Sequence, residues 1–124
     1  MWEVLAKRVE EYEKNFSRFV ERVVARFGGR VTLILFGSRA AGTHSPSSDF
    51  DVVVVLEELG DYFETAAEIL RMGRGLPIDL LLFAREEFKV EGVLRDMLKG
   101  AKCLYDGLHI CGPEGAVSPS ASPT

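Results

Sequence analysis

Two aspartates one residue apart, Asp49 and Asp51, stand at the head of the apolar run Val52-Val53-Val54-Val55-Leu56. Side chains at i and i+2 of a strand leave the same face, so these carboxylates project together. Two like charges held close raise each other's pKa unless a cation lies between them. Hard divalent cations such as Mg²⁺ take oxygen ligands from one or two carboxylates plus substrate phosphates. A third carboxylate, Asp79, interrupts Pro77-Ile78-Asp79-Leu80-Leu81-Leu82-Phe83, where the pattern asks for an apolar residue. A buried aspartate there is unfavourable unless it is paired or metal-bound. If its strand lies beside the one carrying Asp49 and Asp51, three carboxylates converge; otherwise Asp79 faces water or meets an arginine.

Separated from Asp49 by ten intervening residues, an apolar run ends at Gly37-Ser38. A glycine at a strand end lets backbone amides approach an anion, and a short helix following it would aim its N-terminus there. Ser38 adds a hydroxyl donor, and Arg39 can pair with phosphate or with one of the aspartates. Ser48 supports the intervening loop through a local hydrogen bond to backbone, with contact to a base as the weaker reading. His44 reads as a solvated loop residue. Other phosphate loops fit worse: Gly37 and Gly42 have the P-loop spacing, but Thr43 stands where its lysine must be. No G-x-G-x-x-G follows a strand.

Three apolar runs and three helical patterns must position these groups. From Trp2 to Phe27 the residues Leu5, Val9, Tyr12, Phe16, Phe19, Val20, Val23 and Phe27 recur at three- and four-residue steps, and Gly28-Gly29 stops the helix. Its aromatics suit packing on its own sheet, and secondarily an assembly contact. Val31–Phe36, Val52–Leu56 and Ile78–Phe83 read as strands, the first buried on both faces. Asp61 and Glu64 form a capping box for a helix burying Phe63, Ala66, Ile69 and Leu70. Arg85 to Lys99 is helical, with Phe88, Val90, Val93, Leu94, Met97 and Leu98 inward. Lys102 to Tyr105 makes a short edge strand. The order α-β-β-α-β-α-β predicts an α/β (α+β) fold, a mixed sheet of about four strands with helices packed on it.

One ordered domain, residues 1–110, follows from the 124-residue length, and the polar segment 111–124 is expected to be disordered. No apolar stretch approaches the 20 or so residues of a membrane span, and the charged N-terminus is unlike a signal peptide, so the expected location is cytoplasmic. A net charge of −4 argues against generic nucleic-acid binding. Cys103 and Cys111 fit neither a CxxC metal site nor a disulfide framework and read as plain thiols.

The series strand, Gly-Ser, ten residues, Asp-x-Asp, strand, then a later strand with one more aspartate resembles the nucleotidyltransferase superfamily of DNA polymerase β. Its minimal nucleotidyltransferase (MNT) group is the nearest likeness. Leu35-Phe36-Gly37-Ser38-Arg39-Ala40-Ala41-Gly42 through Ser48-Asp49-Phe50-Asp51 looks like that group's GSx10DxD signature, spacing included. The likeness runs from roughly Val4 to Asp106, and departs at Ala41, where many relatives carry a second arginine. The resemblance implies that Gly37 and Ser38 hold the β- and γ-phosphates of a nucleoside triphosphate, and that Asp49 and Asp51 ligate two Mg²⁺ ions. It implies that Asp79 binds the catalytic metal and helps deprotonate the attacking hydroxyl.

Larger relatives continue into a domain that binds the acceptor, and this chain has no foldable remainder beyond about Ile110, so the acceptor is expected in trans. Minimal members often pair with HEPN proteins, small helical ribonuclease toxins, and resemble antitoxins that transfer AMP to a toxin tyrosine. The leading expectation is therefore an ATP- and Mg²⁺-dependent adenylyltransferase of the HEPN/MNT type. Two rivals are a non-catalytic module that neutralises a partner by contact, and a small-molecule nucleotidyltransferase acting as a homo-oligomer.

Overall fold

Uninterrupted β-branched and aliphatic runs form the centre of a four-stranded sheet in the computed structural model, which describes residues 2–45 and 48–112, with side chains from Glu10 onward. Residues 113–124 of the tail expected to be disordered lie outside the described residues, as do the side chains of Leu5 and Val9. The elements run α1 (Trp2–Arg26), β1 (Val31–Phe36), α2 (Gly37–Ala41), β2 (Phe50–Leu56), α3 (Tyr62–Met72), β3 (Ile78–Ala84), α4 (Gly92–Met97) and β4 (Lys102–Asp106). Strand order is β3-β2-β1-β4. β1 pairs antiparallel with both β2 and β4, and β2 pairs parallel with β3 through the crossover helix α3. This is the mixed sheet with packed helices that the element order predicts.

Side chains alternate across the central strands and feed two cores, one on each face. Phe50, Val52, Val54 and Leu56 of β2 join Val31 and Leu33 under α1 and α3, where Phe16, Phe19, Val23 and Ile69 are buried. α1 thus packs on its own sheet, pinned to α3 by an Arg26–Glu68 ion pair. Val53 and Val55 join Ile34 and Phe36 on the opposite face under Phe88, Val90, Leu98 and Leu108.

Three expectations are corrected. The stretch 85–99 is not one helix: a 3₁₀ turn, Arg85–Glu87, precedes an extended segment in which Phe88 and Val90 alternate inward with exposed Lys89 and Glu91. Gly92, at φ 60°, then turns the chain into α4, a backbone that a side chain disfavours. Phe63 (81% exposed) and Leu70 of α3, and Val93 (75%) and Met97 of α4, face outward. Each step of three residues drifts by about 60° around a helix. Phe63 therefore stands about 120° from the buried Ile69, and the Val93–Met97 row about 100° from the Leu94–Leu98 row that packs inward. Cys103 and Cys111 are joined in a disulfide rather than left as thiols. The Asp106 carboxylate causes the return: it accepts hydrogen bonds from the amides of Ile110 (2.8 Å) and Cys111 (3.0 Å) and from the Thr32 hydroxyl (3.0 Å), folding the chain back beside β4. Among the described residues no helix is long and apolar enough to cross a membrane.

Candidate active site

Asp49 and Asp51 come to the sheet end because β2 begins at Phe50, whose amide donates to the carbonyl of Pro77 at 2.7 Å and opens the ladder with β3. The parallel register sets Asp51 directly beside Asp79. On the other side the antiparallel register sets Asp51 opposite Phe36, so the Gly37 that follows lies against it. Three neighbouring strands therefore align Phe36, Asp51 and Asp79 in one row, with Gly37 one residue beyond it and packed against the Asp51 side chain. The packing at Gly37 is close: a Cβ there would collide with the Asp51 carboxylate, and the backbone takes φ 76°. Gly37-Ser38 begins α2, which Gly42 ends in the left-handed conformation with amides returning to the Ser38 carbonyl.

Alternation along β2 sends Phe50 into the core beneath α1 and leaves Asp49 and Asp51 on the opposite face. Asp49 and Asp79 are exposed, and Asp51 is half-buried. Burial pushes the Asp51 carboxyl above the usual carboxylate range, and the charges of Asp79 and then Asp49 push it the same way. Asp51 thus senses both neighbouring carboxylates, with no basic side chain among the causes of its shift. An all-oxygen set in which Asp51 is crowded by two further carboxylates suits a hard divalent cation, which relieves the crowding of charge. Asp49, Asp51 and Asp79 could hold such an ion, and the amides at Gly37-Ser38 could hold the phosphate side of a substrate.

A tighter group, Cys103, Asp106 and Cys111, has ligand atoms within 4.8 Å of one another, but its sulfurs are bonded to each other and its carboxylate is engaged by backbone amides. Asp106, with no catalytic spacing around it, was missed from the sequence; its role is structural. A hollow lined by Glu57, Glu58, Arg85, Glu86 and Glu87 lies at the opposite ends of β2 and β3 from the aspartates.

The remaining loop residues tie this end together. The Ser48 hydroxyl accepts from the Ser45 amide at 2.9 Å, and the Ser48 amide donates to the Ser45 carbonyl at 3.1 Å. Arg39 is buried; its Nε donates to the Ser48 carbonyl at 3.0 Å. Its guanidinium sits 3.8 Å from the Phe50 ring centroid, away from the face that carries the aspartates. His44 is half-buried rather than solvated.

Comparison with known proteins gives the family and agrees with the fold. The nucleotidyltransferase domain family model matches residues 16–102, which run from within α1 to the first residue of β4 and include all three aspartates. A protein of Methanocaldococcus jannaschii, named "putative protein adenylyltransferase", is 29% identical over 97 residues, covering 75% of this chain and 97% of its own length. A crystal structure of a protein from Sulfolobus solfataricus, described as a "putative nucleotidyltransferase", superposes with a TM-score of 0.57 at 21% identity, covering 92% of both chains, and so shares the fold. Family membership carries with it a nucleoside triphosphate substrate and a divalent metal in general terms. The chain belongs to the nucleotidyltransferase domain family, and its enzymatic class is nucleotidyltransferase.

Proposed function

We propose that this nucleotidyltransferase uses ATP and Mg²⁺ to transfer AMP to a hydroxyl on a partner protein, and that the partner is a helical HEPN-type toxin for which this chain is the antitoxin. The observation that carries the catalytic part is the register that puts Asp51 beside Asp79 and packs Gly37 against the Asp51 carboxylate, with Asp49 two residues before Asp51 on the same face. The name of the M. jannaschii relative supports a protein acceptor. The toxin partner rests on the GSx10DxD resemblance.

Nucleotidyl transfer is an in-line displacement at the α-phosphorus. The acceptor oxygen forms a bond to phosphorus, the bond to the β-phosphate bridging oxygen breaks, and pyrophosphate leaves. The acceptor proton goes to Asp79, exposed at the head of β3 where an incoming chain reaches it. Gly37 and Ser38 hold the β- and γ-phosphates through their amides and the Ser38 hydroxyl, so the leaving group stays aligned. Asp49, Asp51 and Asp79 are the residues that would hold Mg²⁺, whose chemistry is to neutralise phosphate charge and activate the acceptor oxygen. Beyond this the protein positions and orients.

The test mixes the protein with its candidate helical partner, Mg²⁺ and ATP labelled at the α-phosphate. Label is expected on the partner, falling by more than about 100-fold in Asp49→Asn and in Asp79→Asn, since even outer-shell partners of metal sites are worth 10–100-fold. Neutralisation of the partner that survives both substitutions with no label moved contradicts the enzymatic reading and favours a binding module. Label on an added small hydroxyl compound instead favours a homo-oligomeric small-molecule enzyme.

A further inference from the structure

Arg39 is the basic residue next to the phosphate-binding pair Gly37-Ser38, yet it is buried rather than extended toward a substrate. Two of its contacts are to immediate chain neighbours of the catalytic carboxylates. Nε donates to the carbonyl of Ser48, the residue before Asp49, and the guanidinium covers the ring of Phe50, the residue between Asp49 and Asp51. The Phe50 ring is itself stacked on Phe16 of α1, with centroids 4.3 Å apart and planes at 8°. With Phe16 on one ring face, the guanidinium at 3.8 Å takes the other, making a three-layer stack of Phe16, Phe50 and Arg39. Successive side chains of a strand point to opposite faces. Holding Phe50 down on the α1 side therefore sets the direction in which Asp49 and Asp51 leave the other side.

We propose that Arg39 is a positioning residue: it clamps Ser48 and Phe50 from α2 and so fixes the two carboxylates of the Asp-x-Asp pair relative to Gly37-Ser38, on the same helix. The role assigned to those carboxylates rests on the nucleotidyltransferase reading; the clamp itself rests on the contacts. A planar guanidinium can stack on an aromatic ring and still direct Nε–H at a carbonyl in the ring's edge direction. An ammonium is a compact charge without a stacking plane, so lysine cannot meet both demands. The clamp also links α1, through Phe16, to the geometry of the site.

Hydrogen–deuterium exchange and nucleotide-free Mn²⁺ binding, followed by electron paramagnetic resonance, test this in the full chain. In Arg39→Met and Arg39→Lys, exchange over residues 48–52 is expected to accelerate by about tenfold or more, the equivalent of a desolvated cation–π contact, while β1 and β4 keep their protection. Mn²⁺ affinity is expected to fall about 10–100-fold in both variants, as for other residues that orient metal ligands. Phe50→Leu, which removes the ring while keeping an apolar side chain, should loosen the same segment and serves where Arg39→Met fails to fold. Wild-type exchange and Mn²⁺ affinity in the variants, with weakened binding of inorganic triphosphate, would overturn the proposal and make Arg39 a phosphate ligand. Full rescue by lysine would also overturn it, because charge alone would then suffice. Failure of the nucleotidyltransferase reading shows separately, as wild-type protein that binds no Mn²⁺, and the exchange rates over 48–52 still decide the clamp.

Discussion

A methyl group on Gly37 would collide with the Asp51 carboxylate, and the glycine holds a left-handed φ of 76°. Gly37→Ala is therefore expected to cost about 1–2 kcal/mol of stability from backbone strain. It should also lower transfer activity by about 100-fold, the order expected when reacting groups are displaced by about 1 Å; melting curves and label transfer measure the two effects. Asp51 itself works against the apo fold. Its folded pKa is raised by burial and then by Asp79 and Asp49, so the folded state binds its proton more tightly than the unfolded state. The fold then loses stability as pH rises from the ordinary carboxylate range through the raised folded value, and the loss is complete above it. Asp51→Asn should melt at a higher temperature than wild type at neutral pH in the presence of EDTA. Its melting temperature should also be flatter across that pH window; a lower or equally sloped curve contradicts the repulsion. Asp79 was legible in the sequence because a charge breaks an apolar run. The setting of Arg39 was not, because the Phe50 ring that its guanidinium covers and the Phe16 ring behind that one come from elements on either side of it in the chain.

The strands were easier to read than the helices, since a run such as Val52–Leu56, buried along its whole length, needs no choice of face. In α3 and α4 the apolar residues occupy more of the helix circumference than the sheet can cover. Periodicity alone could not show that Ile69 and Leu98 turn inward while Phe63 and Val93 turn out. The segment 85–99 misled for a related reason: Val90, Val93, Leu94, Met97 and Leu98 fit a helical stripe, and it hides the two-residue spacing of Phe88 and Val90, which is that of a strand. The start of α3 was legible through its cap, and Asp61 accepts from the Glu64 amide at 2.9 Å. Asp61→Ala is expected to destabilise the fold by about 1 kcal/mol. Because this cap follows the far end of β2 from Asp51, transfer activity at a temperature well below melting should stay at the wild-type level. A denaturant titration run beside the label assay checks both halves.

One sheet carries the whole arrangement: a helical layer on one face, a second core on the other, and the carboxylates grouped where β2 and β3 begin and β1 ends. The parallel β2–β3 pair is the feature on which the site depends, because it brings Asp79 beside Asp51 from 28 positions away in sequence. The sequence pointed to this pairing only conditionally; the crossover through α3 makes it. A chain built this way should transfer the α-phosphorus of its nucleotide and release the rest as pyrophosphate. The most direct measurement runs parallel reactions with ATP labelled at the α- or the γ-phosphate, in Mg²⁺ and with the helical partner. The account predicts that the α label becomes covalently attached to the partner, with one pyrophosphate released for each AMP transferred. It also predicts that the γ label never attaches, and that Asp51→Asn abolishes transfer. Attachment of the γ label, or α-label transfer that persists undiminished in Asp51→Asn, would contradict it.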